Sequence, residues 1–137
     1  MVVHFALAFA VCGAVAEALG ILSARVRLER FGGVLLLLGA SALVLAVATG
    51  YLAANTAPGM SAPAEVALAA HERLALISAS ALLLLVVWKG LGGGRIAEGQ
   101  RPLYAAALLV TTLLLLWAAL LGGRLVYDHA VGVTAPG

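Results

Sequence analysis

Charge is the scarcest property of this sequence. Charged residues make up 10% of the 137 positions and aromatic residues 6%. A soluble domain carries about 25% charged residues, so too little polar surface is present to coat a water-facing globule. The same shortage of charge excludes a disordered chain. Eight Lys/Arg stand against six Asp/Glu, a formal net charge of +2. That excess is too small for a nucleic-acid surface. A single cysteine, Cys12, excludes an internal disulfide and any paired-cysteine metal motif. In its apolar run the thiol is expected to be buried as a small hydrophobe. No phosphate loop, nucleophile elbow or zincin signature occurs, which leaves hydrolytic chemistry without residues to perform it.

What remains is hydrocarbon. Hydrophobic residues reach 64% and the mean hydropathy is +1.14. Long runs with almost no charge predict four spans, at about residues 4–23, 31–54, 64–89 and 102–121. A helix needs roughly 20 apolar residues to cross the hydrocarbon core. The runs are rich in Leu, Ala and Val without period-two alternation, so helices are predicted and membrane strands are not. The expected fold is all-α: one domain, residues 1–137, an integral-membrane four-helix up-down bundle. No Lys or Arg precedes Arg25, so the first span lacks the positive region of a signal peptide and reads as a retained helix.

The placement of basic residues sets an orientation. Arg25, Arg27 and Arg30 fall in the first connection, and Lys89, Arg95 and Arg101 in the third. Only Arg73 and Arg124 lie toward the other side. The positive-inside rule puts connections one and three in the cytoplasm and both termini outside, in a multi-pass protein of the bacterial inner membrane. Pro102 suits a first helical position, and Ser61 before Pro63 marks the start of helix three. Gly32-Gly33, Gly90 with Gly92–Gly94, and Gly122-Gly123 are expected to flank helices as caps. Gly13, Gly20, Gly39, Ser78 and Ser80 are expected to let helices approach closely.

Four antiparallel crossings bring the start of helix one, the start of helix three and the end of helix four to one face. All three histidines, His4, His71 and His129, therefore gather at the outer face, and helices one and three lie diagonally in the bundle. Arg73, Arg124, Tyr127, Glu72 and Asp128 flank them, with Tyr51 and Asn55 at the end of helix two. Guanidinium groups match carboxylate forks, while snorkelling arginines and an aromatic belt are the ordinary reading of such residues. Glu17 is a carboxylate inside the first span, about 20 Å deeper than His4 at 1.5 Å per residue. Such a group is either a proton site or the partner of Arg25 or another loop arginine, and the pairing is the preferred expectation. Trp88 reads as an interfacial anchor at the inner face, and Trp117 as a packing residue.

Several segments carry a resemblance. His4-Phe5-Ala6-Leu7-Ala8 opens helix one, Thr49-Gly50-Tyr51 closes helix two, and His71-Glu72-Arg73-Leu74 enters helix three. Residues 122–133, read as GGRLVYDHAVGV, follow helix four. Together they resemble the DUF2231 family of small bacterial membrane proteins, over nearly the whole chain. Ala6 stands where that family commonly has proline, and Ala130 where it commonly has glycine. The resemblance implies a four-helix fold. Some members look joined to Rieske-type iron–sulfur domains, which implies electron transfer near the outer face, with histidines as axial ligands of a b-type haem.

The leading expectation is thus a membrane electron carrier of cytochrome b type, a carrier or subunit more than a stand-alone catalyst. Two of the three histidines hold haem b, with His71 paired to His4 by the diagonal or to His129 by its motif, and Arg73, Arg124 and Tyr127 beside the propionates. Bis-histidine ligation fills both axial positions and suits single-electron transfer. The absence of a CxxCH motif excludes covalent attachment. The alternatives are a copper or zinc ion on His4, His71 and His129, and a cofactor-free scaffold subunit of a larger complex. Expected partners are the lipid bilayer, a Rieske-type or other redox protein at the outer face, and further copies or subunits, with no nucleic acid.

Overall fold

In the computed structural model, which describes residues 2–56 and 60–131, four long helices run α1 (Val2–Leu22), α2 (Val26–Thr56), α3 (Ala62–Leu91) and α4 (Arg101–Tyr127). A single 3-10 turn, Glu98–Gln100, leads into α4. All four are long and apolar enough to cross a membrane. The helices form a ring in chain order, with α1 against α2 and α4, and α3 against α2 and α4. Among the described residues, no close backbone approach joins α1 to α3 or α2 to α4. The diagonal placement expected of α1 and α3 holds.

Lipid tails are as apolar as leucine, so burial of apolar surface does not draw helices together in a bilayer; close packing of small residues does. The α1–α2 pair shows how. A Cβ on Gly39 would stand 2.8 Å from the Ala10 backbone nitrogen, and one on Gly13 the same distance from that of Leu36. A Cβ on Gly32 would meet the Glu17 nitrogen at 2.6 Å, and one on Gly20 the Glu29 nitrogen at 2.5 Å. Two antiparallel backbones therefore touch at glycines spaced seven residues apart on each helix. Ala6, Ala10 and Ala14 continue that face into a core with Leu36, Ala40, Leu82, Leu85, Leu108 and Leu115. Larger side chains such as Leu37, Leu45, Leu84 and Leu109 point outward.

Three expectations need correction. The helices outrun the apolar spans: α2 begins at Val26 and takes Arg27, Glu29 and Arg30 into its first turns, and α4 continues through Gly122-Gly123 to Tyr127. Charge marks where hydrocarbon ends, and a hydrogen-bonded helix persists beyond it. Gly32, Gly33, Gly122 and Gly123 are thus interior positions and not caps. Cys12 is exposed on the outer surface of the bundle and not buried, because the neighbouring Gly13 and Ala14 take the inward face of α1.

Other termini follow expectation. Ser61 is the N-cap residue of α3, and a proline occupies the first turn of both α3 and α4. Gly92 caps α3, and Gly93 and Gly94 adopt left-handed φ of 67° and 80°. The α1–α2 turn is tighter than the expected loop. The Arg25 N–H donates back to the Gly20 carbonyl at 2.9 Å across Ala24, whose φ is 53°, the geometry of a Schellman ending. The Asn55 side chain and the Gly132-Val133 end of the C-terminal motif lie outside the described residues.

Candidate functional site

The histidine end is built around α3 and α4. His71 is half-buried, and its Nδ1 lies 2.9 Å from the Ala118 carbonyl oxygen. A carbonyl only accepts, so Nδ1 carries the hydrogen and donates, which leaves the Nε2 lone pair free in the neutral ring. Gly122, one turn on from Ala118, makes room for the ring: a Cβ there would stand 2.9 Å from Cε1 of His71. The pair Ala118 and Gly122 therefore fixes both the plane and the tautomer of one imidazole. Metal-bound histidines are commonly oriented in this way, through a backbone carbonyl on the far ring nitrogen.

The other residues expected at this end are more open. His4 is exposed on the first turn of α1, and His129 is exposed on the turn that follows α4. Arg73 and Arg124 are exposed, Tyr127 is 89% exposed, and Glu72 is half-buried. Among the described residues, no three His, Cys, Asp or Glu side chains gather closely enough to hold a metal ion. Depth separates the two exposed histidines. Glu17 and Tyr104 lie side by side at the opposite end of the bundle. From there His4 is about 20 Å along α1 and Ala118 about 21 Å along α4. His4 thus stands level with the carbonyl that holds His71, whereas His129 lies beyond the end of α4.

A second polar site occupies the basic end. Glu17 is fully buried and pairs with Lys89 of α3, whose ammonium also donates to the Glu29 carbonyl at 2.8 Å. The expected partner, Arg25, is exposed in the turn. Lys89 reaches across the diagonal from α3 to α1 because Gly33 leaves space: a Cβ there would stand 2.8 Å from Nζ. Arg101 at the start of α4 lies 3.6 Å from the Glu29 carboxylate. Tyr104 is fully buried, packs edge-on against Trp88 at 5.7 Å, and faces Glu17. Glu17 Oε2, the Tyr104 hydroxyl and Arg101 Nε are buried without a hydrogen bond of ordinary geometry. Each of the four helices contributes at least one polar group. Sequence reading placed Lys89 in the third connection, and only the run of glycines in α2 hinted that a long side chain had somewhere to go.

The sequence profile of the predicted membrane protein family DUF2231 matches residues 1–135. The chain belongs to the DUF2231 family. That match joins with four membrane-length helices to make this DUF2231 chain a multi-pass membrane protein in contact with lipid. No curated protein and no solved structure matches it.

Proposed function

We propose that this DUF2231 protein is a membrane electron carrier that holds one b-type haem through His71 and His4 near the end of the bundle opposite the basic loops. The carrying observation is the His71 ring, fixed by the Ala118 carbonyl and seated on Gly122, with Nε2 left as its free lone pair. His4 is the favoured second ligand because it stands at the same depth on the diagonal helix. A bound haem would supply one-electron chemistry, and His71 and His4 would hold it through their ring nitrogens. Arg73 and Arg124 lie at the same end as counter-charges for propionates. By the positive-inside rule the haem faces the outside of the bacterial inner membrane, where a redox partner of the Rieske type, implied by the family resemblance, meets it.

A visible spectrum of the protein purified after expression with haem supplied tests this reading. A Soret band is expected, lost in His71→Ala and His4→Ala and kept in His129→Ala. A colourless wild-type protein overturns it and leaves a zinc site or a scaffold subunit, which metal analysis separates. Loss of the band in His129→Ala moves the second ligand to that residue.

A further inference from the structure

We propose that the cleft between the end of α3 and the start of α4 is a binding site for the phosphate of an anionic phospholipid. The cleft is lined by Trp88, Leu91, Arg95, Ile96, Glu98 and Arg101, among others. It opens where two membrane-length helices end. Two guanidiniums, Arg95 and Arg101, line it with the carboxylate of Glu98; Arg101 also lies near Glu29, and Arg95 is exposed. Arg101 is incompletely used by the protein. Its contact with Glu29 is long, at 3.6 Å, and its buried Nε has no acceptor.

The rest of the cleft matches the remainder of a phospholipid. Leu91 is 85% exposed beside the buried Ile96, an apolar wall suited to glycerol and the upper acyl chain. Trp88 is half-buried and held by Tyr104, so it forms a fixed side of the cleft. The turn that presents Arg95 folds closely back on Gly92, where a Cβ would lie 2.3 Å from the Arg95 carbonyl oxygen. Basic pockets between membrane helices on the cytoplasmic side hold anionic headgroups by this combination of charge and apolar wall. A zwitterionic headgroup would bring its own cation against Arg95 and Arg101. The inference is independent of the haem.

Quenching of Trp88 fluorescence tests it, in full-length protein carrying Trp117→Phe so that one indole remains. The protein is reconstituted in vesicles of phosphatidylcholine containing an equal mole fraction of either brominated phosphatidylglycerol or brominated phosphatidylcholine. Stronger quenching by the brominated anionic lipid is expected. Arg95→Gln should lower that preference about fivefold, the effect of one basic residue at a membrane surface. Arg95 is exposed, so packing survives its removal; Gly92→Ala, which displaces the same turn, should lower the preference as well. Arg27→Gln removes the same charge from the other loop and should leave it unchanged. Equal quenching by the two lipids overturns the proposal, as does an Arg27→Gln loss equal to that of Arg95→Gln, which would mean diffuse attraction to the basic end. Restoration of fluorescence by inorganic phosphate assigns the cleft to a free anion and overturns the lipid.

Discussion

Lys89 shows at the residue scale why the basic end is held so firmly. Its ammonium touches an α1 carboxylate and an α2 carbonyl from a position on α3. Removing one partner of a buried pair leaves the other charge uncompensated, which destabilises by about 3–5 kcal/mol, while replacing both by apolar groups is often neutral. Unfolding measured in detergent should therefore show a large loss in Lys89→Met and in Glu17→Gln. The double variant Glu17→Leu/Lys89→Met should lose less than either. Additive losses would mean that the two side chains do not depend on one another. A smaller effect belongs to Ala130, whose φ of 52° places it in the left-handed region that disfavours a Cβ by about 1–2 kcal/mol. Ala130→Gly should raise stability by up to about that amount, and a fall would show that the turn is not formed. The sequence flagged this position through the family's usual glycine, and the backbone supplies the reason. It did not reveal the pairing of Glu17, because partners on separate helices leave no spacing signal.

For the elements, the deciding feature is how closely α1 and α2 approach. Four glycines, Gly13 and Gly20 on one helix and Gly32 and Gly39 on the other, meet the partner backbone where a Cβ has no room. Gly32→Ala should push the helices apart and cost about 1–3 kcal/mol, the ordinary range for overpacking a close contact. Gly50→Ala, where a Cβ meets open space, should be tolerated in the same unfolding assay. Equal effects would refute the close approach. Existence and number of helices were legible from hydropathy alone, since each span needs a fixed length of hydrocarbon. Their ends were not. Arg27 and Glu29 sit in the first turns of α2, and Arg124 in the last of α4, because polar residues end the membrane without ending the helix. For the same reason the glycine pairs of α2 and α4 looked like caps; their packing role depends on which helix lies opposite.

Across the whole molecule, an even number of crossings collects the histidines at one end and the basic loops at the other. The α1–α2 glycine register shows α1 and α2 antiparallel, and the His71–Ala118 bond together with the Trp88–Tyr104 contact shows the same for α3 and α4. His4, His71 and His129 consequently share one face, while Glu17, Glu29, Lys89 and Arg101 share the other. That partition was readable from sequence; the hydrogen bond that orients His71 was not, because it depends on a carbonyl 47 positions away. The partition predicts a labelling pattern. In a Cys12→Ser background, single cysteines at Glu65 and Asp128 should react with a membrane-impermeant maleimide added to intact cells. Cysteines at Arg27 and Arg95 should react only after the membrane is opened, the orientation that the positive-inside rule predicts. If all four patterns are inverted together, the bundle stands and its orientation reverses, which moves the proposed haem to the cytoplasmic side. If Glu65 and Asp128 instead react from different compartments, α3 and α4 cannot both span the bilayer as antiparallel neighbours, and the seat of His71 against Ala118 and Gly122 is lost with them.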